Sequence, residues 1–367
     1  MVTKKTRTLL DKAIGATGAE GTIAEIQEHF STGIAPLDVI LSGEVGKGIP
    51  SGRVTEIYGD ESVGKTTLCC LLAAQVQRQY KGSVVYFDSE ATLTKERAVA
   101  LGIDWDTFWH SAHMMYCEDV FEAVLDVVRG HALTDSRKAS TDAGIIIWDT
   151  VAGTEAKSEH GKQVGEGGSF GPHARILSEG FRKLCQPLGS TKLATVFCNQ
   201  MKIGGIGNMF ATERQKEATL GGKAMRFHSH IRLKMEAKRK YRLPLGGKKF
   251  LNLGEEIKVT KTKDKERGAG VAGTDCILIL QKVGEKAGTF NEALSCLRTL
   301  QNWGMYRKEI IISGHKLTPI QFEKMYDTKA TFRAGIRTTM ELMRRTLLKI
   351  EQQAQSETDD EEEPLEG

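Results

Sequence analysis

The sequence predicts an α/β fold, a mostly parallel sheet flanked by helices, and three observations carry that expectation. A glycine-rich turn, Gly59-Asp60-Glu61-Ser62-Val63-Gly64-Lys65-Thr66-Thr67, directly follows the apolar run Val54 to Tyr58 and opens a helix-compatible stretch from Thr67 to Gln77. Two later apolar runs, Ser83-Val84-Val85-Tyr86-Phe87-Asp88-Ser89-Glu90 and Gly144-Ile145-Ile146-Ile147-Trp148-Asp149-Thr150, deliver carboxylates at their C-terminal ends. Short β-rich runs then alternate with helical stretches from Ser31 to about Gln281, as strands do when helices carry the crossovers between them.

In chain order, residues 1–35 read as a helical arm with breaks at Gly15, Gly18 and Gly21 and an amphipathic end from Ile23 to Phe30, suited to docking on a neighbouring subunit. Residues 36–285 form the expected core, with strands at Val54 to Tyr58, Val84 to Asp88, Ile145 to Asp149, Leu193 to Gln200, Ile231 to Met235, Ile257 to Thr260 and Ile277 to Leu280. Residues 286–350 read as a small C-terminal domain whose Met340, Leu342, Met343, Leu347 and Leu348 suit a helix. Residues 351–367 read as a disordered acidic tail.

The chain of 367 residues is 27% charged and has no apolar run long enough to span a membrane, and its N-terminus lacks a signal-peptide core, so a cytoplasmic protein without a membrane partner is expected. Seven cysteines without a C-x-x-C pair fit reduced thiols, with Cys69 and Cys70 expected to pack in the helix behind the glycine-rich turn. Among nine histidines there is no H-E-x-x-H, and His228 and His230 alternate as strand residues would, which speaks against a histidine-based metal site. The net charge is +4, but residues 223–267 hold fifteen Lys and Arg against five acids, while residues 356–367 hold seven acids and no base. A basic segment and an acidic tail can compete with nucleic acid for each other; a merely solubilising surface is the alternative.

The turn from Gly59 to Thr67 fits G-x4-G-K-S/T, the phosphate-loop pattern. Its glycines let backbone N–H groups close around phosphate oxygens, Lys65 adds a point charge at the β and γ phosphates, and the Thr66 hydroxyl can hold Mg²⁺. Asp149, ending a buried strand, sits where such ATPases keep the carboxylate of the metal shell. Either Glu90 or Asp88 could act as general base. Two polar, glycine-rich segments follow strands on the same side: residues 157–172 with Phe170, and residues 201–218 with Lys202, Met209, Phe210, Arg214 and Lys216. Glycine-rich basic loops bearing apolar wedges suit a nucleic-acid backbone and its bases, and Arg175 just beyond the first loop joins the candidate DNA contacts.

Ser31-Thr32-Gly33 with Pro36-Leu37-Asp38, then Gly52-Arg53-Val54-Thr55-Glu56-Ile57-Tyr58-Gly59, resembles the entry to the core of the RecA/UvsX family of bacterial and phage recombinases. Asn199-Gln200 resembles that family's γ-phosphate-sensing strand end, and Gly221 to Phe227 resembles the segment after its second DNA-binding loop. The resemblance covers roughly residues 25–300. It implies a DNA-dependent ATPase that forms helical filaments on single-stranded DNA and pairs it with homologous duplex. ATP and Mg²⁺ would sit on Gly59 to Thr67 and Asp149, Glu90 would activate water, and Gln200 would report ATP to the loop after it. Lys261 and Lys263 would complete a neighbour's site, and Phe227 would lie at the subunit interface. Where the family frames adenine with an Asp and a Tyr, this chain offers Thr94 and Arg97. The resemblance further implies a bacterial or phage-infected host cytoplasm, with a single-strand-binding protein or loading mediator as possible partners. A ring-shaped helicase on the same core and a non-catalytic mediator are the alternatives.

Overall fold

The computed structural model describes residues 26–112, 116–132, 144–160, 172–203, 217–219, 222–246, 249–266, 275–283, 287–306 and 309–361. The arm up to residue 25 lies outside them. In chain order the elements are β1 (His29–Phe30), α1 (Ala35–Ser42), β2 (Ile49–Pro50), β3 (Val54–Gly59), α2 (Lys65–Tyr80), β4 (Ser83–Asp88), α3 (Lys95–Ala100), β5 (Phe108–Ser111), α4 (Cys117–Ala132) and β6 (Gly144–Asp149). There follow α5 (Pro172–Leu188), β7 (Leu193–Ile203), β8 (Glu217–Thr219), α6 (Gly222–His228), β9 (Ile231–Gly246), β10 (Lys249–Asp264) and β11 (Asp275–Gln281). The chain continues through α7 (Glu292–Asn302), β12 (Ile310–Ile312), β13 (His315–Leu317), α8 (Pro319–Thr328) and α9 (Ala330–Glu361).

The central sheet runs β11-β10-β9-β3-β7-β6-β4-β5, with β8 pairing to the far end of β7. From β9 to β5 every pairing is parallel, and β9, β10 and β11 form an antiparallel meander. The expected mostly parallel sheet is therefore present. Successive residues of a strand face opposite sides, so a strand buried on both faces must be apolar throughout. In β6, Ile145 and Ile147 pack with Leu68, Leu72 and Val76 of α2 on one face. Ile146 and Trp148 pack with Phe121 of α4 and Phe181 of α5 on the other.

A third cluster joins Ala35 and Val39 of α1 to Cys296, Leu297 and Leu300 of α7, Phe322 and Tyr326 of α8, and Met340 of α9. α7, α8 and α9 thus share a core with α1. Asn291 caps α7 by accepting from the Leu294 N–H at 2.9 Å, and Thr318 with Gln321 forms a capping box at α8.

Three expectations need correction. α9 stays helical to Glu361, where an unstructured tail was expected from residue 351; its Glu, Gln and Ala residues favour helix, and an existing helix extends without a new nucleus. His228 closes helix α6 instead of lying on a strand. β9 and β10 each run 16 residues, far beyond the short apolar runs, because backbone pairing continues through their Lys and Arg-rich parts.

A buried ion pair ties the middle of the sheet. Glu56 on β3 accepts from the Arg232 guanidinium on β9 and from Asn199 Nδ2 on β7 at 3.3 Å, and the guanidinium lies 4.4 Å from the centre of the Tyr58 ring. Removing one partner of a buried pair leaves an uncompensated charge, so Arg232→Ala should lower stability by about 3–5 kcal/mol in urea titration. Glu56→Leu combined with Arg232→Met should recover most of that loss. A loss within about 0.5 kcal/mol of zero for the single variant would show that the pair carries little.

Burial pushes the His230 imidazole down from its ordinary value of 6.5 to about 4, with Arg53 adding to the shift. Between those pH values the unfolded chain binds a proton that the folded one excludes, so stability falls as pH drops through that window. His230→Gln should flatten this acid limb in melting curves recorded from pH 7 to 4.

Candidate nucleotide-binding active site

The register of the parallel strands brings the phosphate loop and its partners to one edge. Gly59 lies opposite Gln200 in the β3–β7 pair, and Asp88 lies opposite Asp149 in the β4–β6 pair. The crevice beyond the carboxyl ends of such strands is where open α/β sheets take ligands. A cleft of about 680 Å³ opens there, lined by Glu61, Ser62, Gly64, Lys65, Thr66, Thr67, Glu90, Arg97, Asp149, Thr150 and Gln200, and closed by Leu280, Gln281, Lys282 and Gly288.

α2 begins at Lys65 with Gly64 as its N-cap, so the unpaired N–H groups and positive dipole end of a 16-residue helix face the cleft. The Lys65 ammonium donates to the carbonyls of Gly59 at 3.2 Å and Asp60 at 2.5 Å, folded back on its own loop. The Val63 side chain packs into the core, so its share of the expected nucleotide contact falls to its backbone N–H, the group a phosphate loop uses. Cys69 and Cys70 are fully buried behind the loop, as expected.

Thr66 Oγ1 donates to Asp149 Oδ2 at 2.6 Å, and Tyr86 donates to the same oxygen at 2.8 Å. Asp149 Oδ1 is buried and has no hydrogen-bond partner among the described residues. Burial pushes the Asp149 carboxyl above its ordinary value, Glu90 and Asp88 add to that rise, and the two hydroxyls oppose it. A hard-oxygen donor set with an unspent buried carboxylate oxygen fits Mg²⁺.

Glu90 is exposed to the cleft, and its Oε1 accepts from Thr150 Oγ1 at 2.7 Å and Gln200 Nε2 at 3.2 Å. Asp88, the other candidate base, is buried and accepts from the Leu93 N–H at 2.8 Å, with His110 Nε2 at 3.4 Å. Its carboxylate therefore shapes the turn that carries Glu90.

Thr94 caps α3 by accepting from the Arg97 N–H at 3.2 Å, leaving Arg97 as the side chain of that pair that reaches the cleft. The Arg97 guanidinium donates to the Gly288 carbonyl at 2.5 Å and to Thr67 Oγ1 at 3.3 Å. Gly288 has φ +77°, and a Cβ there would stand 2.6 Å from the guanidinium nitrogens. The wall made by Leu280, Gln281, Lys282 and Gly288 was not anticipated from sequence. Only the apolar strand ending at Leu280 was visible, and nothing in the residues after it signals a ligand.

The remaining predicted residues lie elsewhere. Lys261 is fully buried, donating to Asp264 Oδ2 at 2.7 Å and to the Leu41 carbonyl at 3.2 Å, so its ammonium is spent inside the protomer instead of being offered to a neighbour. Lys263 is half-buried, donates to the Phe227 carbonyl at 3.0 Å and to that of Arg226, and is pushed down to about 8 by burial and by Lys265. Phe227 is 71% exposed, with the Lys265 ammonium 5.7 Å from its ring centre. Arg175 lies on helix α5, and Lys202 pairs with Ala218 where β7 and β8 form the base of the second loop. Phe170, Met209, Phe210, Arg214 and Lys216 fall outside the described residues. His230, Asp264 and Glu266 bring ligand atoms within 4.8 Å of one another, but Asp264 is already neutralised by Lys261, which disfavours a cation there.

A family model described as the RecA N-terminal domain matches residues 6–268. The RecA protein of Ruegeria pomeroyi is 32% identical over 309 residues, covering 82% of this chain and 79% of that protein. That of Synechococcus elongatus is 29% identical over 341 residues, covering 89% and 86%. The Clostridium novyi protein is 35% identical over 236 residues, covering 64% of this chain and 61% of that protein.

Arg97→Ala removes a guanidinium from the cleft wall without touching Glu90 or Asp149. It should raise KM for nucleotide about tenfold and leave kcat within twofold, the pattern for an interaction made equally in ground and transition states. A selective fall in kcat would place Arg97 in the chemistry instead.

Proposed function

The chain belongs to the RecA family, and from that membership and the geometry of the cleft we infer that it works as an ATP-dependent DNA recombinase, forming helical filaments on single-stranded DNA and catalysing homologous pairing and strand exchange. The observation that carries the reading is the meeting, in one cleft, of Lys65, the Thr66–Asp149 pair and Glu90, with Gln200 bonded to Glu90 at the root of the segment that leads to β8.

Lys65 binds the β and γ phosphates once it leaves its loop carbonyls, and the N-terminal N–H groups of α2 hold the phosphate chain. Thr66 and Asp149 would hold Mg²⁺, which would supply positive charge to offset that of the phosphates. Glu90 takes a proton from the attacking water. Gln200 donates to Glu90 at the root of the 201–218 segment, and turning instead to a γ-phosphate would move the start of that segment and couple ATP to DNA contact there. Phosphate and stacking contacts of this kind hold DNA without reading its sequence, so pairing between strands supplies the specificity.

Between subunits, exposed Phe227 and half-buried Lys263 stand side by side and form the docking edge, with Lys263 reaching the neighbour's phosphates. The acidic segment after residue 356 competes with DNA for the basic strands β9 and β10. A single-strand-binding protein or loading mediator is the further partner, and the cytoplasm of a bacterium or of a phage-infected host is the setting. No helix among the described residues is long and apolar enough to cross a membrane.

ATP turnover should rise at least tenfold on adding single-stranded DNA, with open helical filaments in negative-stain images of the same samples. Phe227→Ala should abolish the filaments while nucleotide binding by the protomer persists. Closed rings would favour a helicase motor, and turnover indifferent to DNA would favour a mediator.

A further inference from the structure

Glu90 poses a positioning problem. It is a solvent-exposed glutamate on a turn, where the side chain has several rotamers of similar energy, whereas a general base must hold one oxygen on the water it deprotonates. The neighbouring strand end supplies the constraint. Thr150 is buried, and its hydroxyl donates to Glu90 Oε1 at 2.7 Å, the shorter of the two hydrogen bonds that this oxygen accepts. No hydrogen bond falls on Oε2 among the described residues, so one oxygen is pinned and the other is left for water.

Thr150 is in turn held at both of its backbone polar groups by one side chain. Its N–H donates to Ser89 Oγ at 2.9 Å, and the same hydroxyl donates to the Thr150 carbonyl at 2.6 Å. The Ser89 N–H also donates to the Asp149 carbonyl at 3.0 Å, extending the register of β4 and β6 by one residue. The turn after Thr150 is built to permit this approach. A Cβ on Gly153 would stand 2.7 Å from Ser89 Oγ and 3.2 Å from Glu90 Cγ.

We propose that Thr150, clamped by Ser89, is a positioning residue for ATP hydrolysis: its hydroxyl fixes one carboxylate oxygen of Glu90 so that the other addresses the attacking water. The proposal rests on the reading of Glu90 as general base. Ser89 acts at one further remove by fixing Thr150, and Gly153 leaves the space that both need. Gln200, the second donor to Oε1, is free to exchange Glu90 for a phosphate because Thr150 keeps the carboxylate in place when it does.

The test uses the full chain with single-stranded DNA and ATP. Thr150→Val keeps the shape and removes the donor. It should lower kcat about tenfold, a modest misplacement of a catalytic group, with KM and the affinity for a fluorescent ATP analogue within twofold of the parent. Thr150→Ser should restore most of the loss, and Ser89→Ala should fall between the two. Glu90→Gln should lower kcat by about 10² or more. Thr150→Val added to Glu90→Gln should then cost nothing further, because residues that act through one another are not additive.

An unchanged kcat in Thr150→Val alongside a crippled Glu90→Gln overturns the proposal and leaves the base assignment standing. An equal loss from Thr150→Val in both backgrounds also overturns it, because Thr150 would then act independently of Glu90. An unchanged rate in Glu90→Gln removes the base itself, and the proposal with it. Loss of analogue binding in Thr150→Val, with Thr150→Ser failing to restore it, would assign Thr150 a structural role and overturn the proposal as well.

Discussion

The cleft depends on one constraint, the in-register parallel pairing of β3, β7, β6 and β4. A parallel strand cannot shift by one residue without turning its whole apolar set to the opposite face. Here both faces are buried under helices, so each shift would drive residues such as Trp148 and Ile147 into each other's clusters. The same pairing that buries the core therefore sets Gly59 beside Gln200 and Asp88 beside Asp149. Catalytic geometry is inherited from core packing. The site's polar atoms add only the last adjustments, made by side chains that leave the strand ends.

How far the sequence reveals this follows from the same physics. Strands buried on both sides must be continuously apolar, so β3, β4, β6 and β7 stand out, and with them the residues at their C-terminal ends: Lys65, Thr66, Glu90, Asp149 and Gln200. Edge and hairpin strands carry no such requirement. β9 and β10 continue as paired backbone through Lys238, Arg239, Lys240 and Arg242, a run that reads as polar loop because backbone hydrogen bonds leave no trace in composition. The wall at Gly288 and the commitment of Lys261 to Asp264 were hidden for a related reason. Each depends on what a distant segment places opposite it, and a lysine in a K-T-K run looks the same whether its ammonium is buried or offered to a neighbour.

The contrast between Asp88 and Glu90 gives a physical ground for preferring one of two candidates that residue types leave open. Both are carboxylates at the end of one strand, two residues apart, and either could accept a proton. Asp88 faces inward and spends an oxygen on the backbone of the turn that follows, whereas Glu90 faces the cleft and, among the described residues, takes hydrogen bonds on one oxygen alone. A buried carboxylate that organises backbone is poorly placed to meet a water in the cleft. The inward carboxylate therefore supports the outward one.

The buried Glu56 gives the sheet a polar centre that touches both functional edges. It accepts from Asn199, whose Oδ1 in turn accepts from the Gln200 N–H at 3.0 Å. Through Arg232 and the Tyr58 ring it meets β10, where the Tyr58 hydroxyl lies 3.1 Å from Thr262, between Lys261 and Lys263. The nucleotide-facing end of β7 and the edge beside Phe227 thus hang on one desolvated group. A charge in that position constrains its surroundings more than an apolar residue of equal volume would, because every donor around it must keep its direction as well as its distance. A shift at Gln200 that moved Asn199 would have to be met by Arg232 or leave a carboxylate oxygen short of a partner in the interior. That requirement is a physical route by which a change at the end of β7 can be felt at the edge beside Phe227, and it needs no large motion of the sheet.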